Sequence, residues 1–157
     1  MGLFIKKQNN NIIEEVKDFL VNELVISKQA CGKSERSAEN SLVRQLKERF
    51  GEDYVKRQCP IGDNLKRKCD VDIFQGQCGI ELKLAHHLET RSDEFQRAIG
   101  QIACYVHDDR YSNSGVIMLV IGKEAEMSDD IKKLQMYVSY FPRVHFIYKQ
   151  AQNKTTK

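Results

Sequence analysis

The sequence has no apolar run near the roughly 18 residues that cross a bilayer, so a membrane-spanning protein is not expected. It has no C-x-x-C pair, no internal repeat and no low-complexity block. It also lacks a large charge excess of either sign; the formal net charge is +3, too weak to name a nucleic-acid partner by itself. The five cysteines, Cys31, Cys59, Cys69, Cys78 and Cys104, are odd in number and widely spread. That pattern suits neither a disulfide framework nor a zinc knuckle, and reduced thiols in a cytoplasmic protein fit it better. MGLFIKKQNN has no apolar segment behind a basic start, so no secretory leader is expected. Met1-Gly2 opens as a myristoylation site would, but Lys6 stands where that motif wants Ser or Thr.

What is present reads as one folded unit. The chain has 157 residues, with 41% hydrophobic and 30% charged. This is enough for a single domain, and it is not the composition of a disordered chain. The expected organisation is an N-terminal helix and linker over 1–36, a domain over 37–150 and a polar tail over 151–157. Ile12, Ile13, Val16, Phe19, Leu20 and Leu24 recur at helical spacing and predict a helix over 11–27. SKQACGKSERS then reads as a linker. Its Gly32-Lys33-Ser34 ends like a phosphate-binding loop. Ser27 stands where that motif needs Gly, and no strand precedes it, so the loop is rejected.

A second helix is expected from Ser37, as N-cap, to Phe50, with Gly51 closing it. A short strand follows near 54–58, then a loop over 60–65. Strands over 69–74 and 78–84 flank Gln75-Gly76-Gln77 and predict a hairpin. A helix over 92–107 carries Phe95, Ile99, Ile102 and Val106 on one stripe. GVIMLVI, over 115–121, predicts a strand buried on both faces. A helix near 128–140 and a strand near 143–148 complete the order. The fold class is α/β: a mixed sheet with helices packed on it.

The chemistry concentrates in the hairpin arms CDVDIF and GIELKL. Alternation puts Glu81 and Lys83 on one face, opposite Ile80, Leu82 and Leu84. Asp70 and Asp72 likewise share a face. Carboxylates that close need a cation or a proton between them. Magnesium is the natural guest, because it takes hard oxygen ligands. The competing reading is an exposed sheet face with cross-strand salt bridges. Helix position adds weight to the first. On a wheel of about 100° per residue, Ala38, Leu42, Leu46, Phe50 and Val43 span about 140°, and Glu39 falls inside that arc. An acid there needs a partner, unless it is only a first-turn acid aided by the helix dipole. Arg97 and Gln101 are four residues apart on the next helix, beside its apolar stripe. Lys56, Arg57, Lys66, Arg67 and Lys68 form a basic cluster, either a solvated loop or a phosphate-contacting patch.

Asp70 followed by Glu81-Leu82-Lys83 resembles the PD-(D/E)XK motif of restriction endonucleases and their relatives. That superfamily shares a core of helix, three strands, helix and strand, the order read here over 37–121. Glu39 and Gln101 stand where it carries a first-helix Glu and a later Gln. Cys69 replaces the Pro that often precedes the aspartate. The resemblance implies a restriction-endonuclease-like three-layer core with an extra N-terminal helix and a C-terminal helix and strand. It implies a metal-dependent endonuclease that hydrolyses DNA phosphodiesters. Asp70 and Glu81 would hold magnesium or manganese, with the Leu82 carbonyl; Glu39 would assist, and Asp72 is an alternative or second ligand. Lys83 would position or activate water, and Gln101 would orient phosphate or water. Lys66, Arg67, Lys68 and Arg97 would contact the DNA backbone. A homodimer would suit cutting of both strands. His86 and His87 lie just past the motif in what reads as a loop and make poor joint ligands. The competing functions are a nucleic-acid-binding module without cleavage and a partner-docking protein whose acids form surface ion pairs.

Overall fold

A computed structural model describes residues 12–61, 64–107, 111 and 114–153, without the side chains of 64–67. Helix α1 (Ile12–Asn22) buries Ile12, Val16, Phe19 and Leu20, the stripe expected from the sequence. It stops earlier than the predicted Ser27. Glu23 and Leu24 both donate to the Phe19 carbonyl, which closes the helix, and the chain then runs on to a bridge between Ser27 and Gln152. The expected linker instead holds a short helix, α2 (Lys28–Lys33), capped by the Ser27 hydroxyl. Helix α3 (Glu35–Phe50) starts two residues before the predicted Ser37. Ser34, extended, is its N-cap, and the Ser34 hydroxyl accepts from the Ser37 N–H at 3.0 Å. The expected boundary at residue 36 therefore falls inside this helix. Gly51 ends it with φ 108°, a conformation that favours glycine.

After a 3-10 turn over Glu52–Tyr54 come β1 (Val55–Ile61), β2 (Asn64–Ile73) and β3 (Cys78–Leu84). The first two strands extend into the predicted loop over 60–65. Pro60 is tolerated because β1 is an edge strand, where a missing N–H need not break the ladder. Helix α4 (Ala85–Thr90) lies where a loop was expected. Then follow α5 (Ser92–His107), β4 (Val116–Gly122), α6 (Asp129–Val138) and β5 (Val144–Gln150).

The sheet order is β1-β2-β3-β4-β5. The first three strands form an antiparallel meander, and β4 and β5 join in parallel. Strand β4 is buried along its whole length. Its Ile117, Leu119 and Ile121 enter a core with Val16, Leu20, Leu42 and Leu46, while Val116, Met118 and Val120 enter a second with Ile102, Tyr105, Ile131 and Leu134. Helices thus cover both sheet faces, and α1 shares the first core with α3. Ala151, expected to open a polar tail, is buried, and Gln152 makes the bridge to Ser27.

The β1–β2 pair does not keep its faces constant from end to end. Val71 and Ile73 belong to the first core, but Cys69 belongs to the second. Likewise Val55 lies in the first and Ile61 in the second. Between them, opposite each other in the β1–β2 register, stand Asp70 and Gln58. Gln58 has φ 48°, a left-handed backbone that costs a non-glycine residue energy. Both strands change face at this rung.

Candidate active site

The last described rung of the β2–β3 ladder is Val71–Ile80. Asp70 and Glu81 stand just beyond it. There the ladder is replaced by a side chain: the Leu82 N–H donates to Asp70 Oδ2 at 3.0 Å. A strand residue's N–H and C=O leave from the same edge. The Leu82 carbonyl therefore also faces the gap between β2 and β3. Gln58 Nε2 donates to Asp70 Oδ1 at 3.3 Å and to Glu39 Oε1 at 3.2 Å, tying α3 to β2 through one amide.

Glu81 is 1% exposed and Lys83 4% exposed, although both are ionisable. Lys83 Nζ lies 3.3 Å from Glu81 Oε1, and the Tyr105 hydroxyl donates to Glu81 Oε2 at 2.6 Å. Burial pushes the Glu81 carboxyl up to about 8; Asp70 adds repulsion, and Lys83 and the Tyr105 hydroxyl oppose the rise. Asp70 is raised too, first by burial and then by Glu39, against the Leu82 N–H bond. For Lys83, burial favours the neutral amine. The carboxylates of Glu81, Glu35 and Asp70 outweigh it and hold the ammonium charged. One cation thus faces three acids, and the site favours either protons or a further positive charge.

Glu39 is 7% exposed on the inner face of α3, as its wheel position implies. It pairs with Arg57 Nη2 at 3.4 Å. Arg57 therefore turns inward, with Nη1 also donating to Asn40 Oδ1 at 2.6 Å, and leaves the expected basic cluster. Gln101 lines a cavity of about 520 Å³ with Gln58, Lys68, Asp70, Arg97 and Tyr105. Its Oε1 is buried without a hydrogen-bond partner among the described residues, the sort of orphan a bound molecule satisfies. Lys68 and Arg97 are exposed on the same cavity wall, with Arg97 Nη1 also bonded to Glu94 at 3.1 Å. Cys104 lines this wall as well, half-buried. The Lys66 and Arg67 side chains lie outside the described residues.

Asp72 departs from expectation. It is 0% exposed. Its carboxylate accepts from the Gly76 N–H at 3.0 and 3.2 Å and from the Tyr111 hydroxyl at 2.7 Å. It braces the turn over 74–77 and does not join the Asp70 patch. The face change at Asp70 separates two acids that simple alternation puts together, so Asp72 is not among the residues facing a metal here.

Three residues escaped the sequence reading. Tyr105 lies four residues after Gln101, hence on the same helix face, and that spacing was the available signal. Glu35 falls inside the same apolar arc as Glu39, but only once α3 is known to begin before Ser37. Its carboxyl rises to about 7, chiefly by burial, with Lys83 opposing and Asp70, Glu94 and Glu39 adding repulsion. Gln58 carries no sequence signal. His87, given little weight in the sequence, has Nδ1 3.9 Å from Glu35 Oε2.

Among the described residues, no three Asp, Glu, His or Cys side chains are grouped so that they alone would hold a metal ion. Magnesium does not require three: one or two carboxylates, with water and substrate oxygens, are its usual set. Asp70, Glu81 and the Leu82 carbonyl are hard oxygen donors at one gap. The raised pKa values of the two acids are the electrostatic strain that a divalent cation relieves. The donor set fits that ion. Compared with known protein families, curated proteins and solved structures, the chain matches none.

Proposed function

We propose that this protein is a metal-dependent nuclease of the PD-(D/E)XK type, hydrolysing phosphodiester bonds in DNA. The observation that carries the reading is the fork after Val71–Ile80. A buried Glu81 and a half-buried Asp70, mutually repelling carboxylates, stand there with a buried ammonium 3.3 Å from Glu81. A surface ion-pair network has no need to bury these groups, since burying charge costs several kcal/mol per ion, on the order of what a whole domain has to spare. The helix, three-strand, helix, strand order of α3 to β4, interrupted by a 3-10 turn and the short α4, supports the restriction-endonuclease-like core.

Asp70, Glu81 and the Leu82 carbonyl would hold magnesium or manganese, with Glu39 assisting from α3. The ion would supply charge stabilisation for the phosphorane-like transition state and acidify water. Tyr105 fixes the Glu81 carboxylate through its hydroxyl. Gln58 fixes Asp70 and Glu39 together. Lys83, held as an ammonium, orients an attacking water or a phosphate oxygen. The orphaned Gln101 Oε1 accepts from water at the phosphate, and Lys68 and Arg97 hold the backbone along the cavity wall.

The test is incubation of purified protein with supercoiled, linear and single-stranded DNA, in magnesium, manganese or EDTA, beside Lys83→Ala. Cutting that needs metal and disappears in the variant is the expected result. No cutting of any substrate, together with no metal binding by calorimetry, would replace this reading with a non-catalytic nucleic-acid-binding module.

A further inference from the structure

Helix α5 turns one stripe toward the cavity beside Asp70. Arg97, Gly100, Gln101, Cys104 and Tyr105 recur at helical spacing, and all five line it. Gln58, Lys68 and Asp70, from β1 and β2, complete the lining. Two of these residues also belong to the fork. Asp70 accepts from the Leu82 N–H at 3.0 Å, and the Tyr105 hydroxyl donates to Glu81 at 2.6 Å.

Gly100 is the unexpected member. It is exposed and lies inside a 16-residue helix. Glycine weakens a helix interior relative to alanine, so its presence there wants a reason. At Gly79 and Gly115 the reason is packing, because a Cβ would come within 2.8 Å of Tyr111 and Ile13. At Gly51 and Gly76 it is a positive φ. Neither applies to Gly100. Its backbone is helical, and a Cβ there would meet nothing within 4 Å among the described residues. The packing of those residues has no use for a bare backbone at this point. A flat group entering the cavity has, since it can lie against the helix where a side chain would otherwise stand.

A volume of about 520 Å³ falls within the roughly 300–1,000 Å³ of pockets that enclose small organic ligands. Its two cations, Lys68 and Arg97, are exposed and suit phosphates. Beside them Gly100, Cys104 and the Gln101 amide are uncharged. With Oε1 given to water at the phosphate, that amide keeps two N–H groups for a ligand, and nucleobases carry carbonyl or ring-nitrogen acceptors. An uncharged stretch of wall next to two cations suits a base on its phosphate backbone.

We propose that this cavity holds an unpaired nucleobase, so that the DNA this protein cuts is single-stranded, or unpaired at the cut. That the base lies beside the scissile phosphate rests on the nuclease reading above. In a continuous duplex each base is stacked and paired. It reaches such a pocket only by leaving the stack, at an energetic cost that an unpaired base does not carry.

The experiment is fluorescence anisotropy of the full chain with end-labelled oligomers of equal length, in EDTA and at one salt concentration. One probe is oligothymidylate. The other is the same phosphodiester chain built wholly from abasic tetrahydrofuran units. The wild type is expected to bind oligothymidylate on the order of tenfold more tightly than the abasic chain. In Gly100→Leu the new side chain fills the cavity, and oligothymidylate should bind no better than the abasic chain. Gly100→Ala should lose less. Both variants should melt no lower than the wild type, because leucine and alanine are better helix formers and have room. Equal binding of the two chains by the wild type would overturn the proposal. So would wild-type binding of oligothymidylate by Gly100→Leu, or a lowered melting point in Gly100→Ala, which would show that packing needs the glycine. Cleavage in magnesium separates this inference from the reading beneath it. Single strands should be cut on the order of tenfold faster than a continuous duplex of the same sequence. A duplex cut as fast would overturn the proposal and keep the nuclease. Base-dependent binding with no cutting of any strand would remove the nuclease reading and leave the base pocket standing.

Discussion

Asp70 and Asp72 are two residues apart on one strand, and their surroundings could hardly differ more. Asp72 is satisfied from within: a turn N–H and a tyrosine hydroxyl bind its carboxylate, and no solvent reaches it. Asp70 sits where the ladder has ended, facing Glu39 and Glu81, and is only partly compensated by Leu82 and Gln58. Residue type and spacing do not tell the two apart. Partners do. A carboxylate whose acceptors are filled by the fold braces it, and one left among other carboxylates is available to a cation.

The contrast is broken most easily by the largest effects. Asp70→Asn, Glu81→Ala and Lys83→Ala should each lose about 1000-fold or more in cleavage while melting as a folded protein. Normal turnover in Glu81→Ala and Lys83→Ala would end the site assignment. Asp72→Ala should do the opposite: turnover per folded molecule is kept, and denaturant titration shows a loss of about 2–3 kcal/mol, from the Gly76 N–H and Tyr111 hydroxyl left unpaired. Equal cleavage losses in Asp70→Asn and Asp72→Asn would erase the distinction.

Gly79→Ala sharpens the bracing role. Its new methyl would meet the Tyr111 ring at 2.8 Å, and that ring is fixed through Asp72. A loss of about 1–2 kcal/mol is expected, with cleavage kept. Stability against pH separates the two ends again. Glu81 is raised from 4.5 to about 8, so the folded state binds its proton more tightly than the unfolded chain does. Its contribution is therefore greatest below pH 4.5 and is lost as pH rises toward 8. The melting temperature in EDTA should fall across that window, magnesium should restore it near pH 8, and Glu81→Gln should flatten the slope. A slope unchanged in Glu81→Gln would point to other groups. Smallest are Lys68→Ala and Arg97→Ala. Each should weaken DNA binding and reduce the salt slope by about one, leaving kcat untouched.

Much of this was legible in the chain. The stripe of α1, the extents of β3 and α5, and the two-faced burial of β4 follow from apolar periodicity. Glu39 was legible as an acid inside an apolar arc. The short helices α2 and α4 were not, because six residues are too few to display a period. The start of α3 was misplaced because Ser34 and Ser37 are equally good caps by residue type, and that error hid Glu35. The face change at Asp70 was invisible for a different reason. It depends on a left-handed residue in a strand, and Gln58 is not a residue whose identity announces that backbone.

That same residue sets two kinds of selection against each other. Glycine would adopt φ 48° without strain, so a library screened only for thermal resistance should accumulate Gln58→Gly. The winners would lose the amide that holds Asp70 and Glu39 in place. A library screened for cutting should keep glutamine there and tolerate the cost. Position 58 is thus where evolution toward robustness and evolution toward turnover would part company, and sequencing both outcomes would read the trade directly.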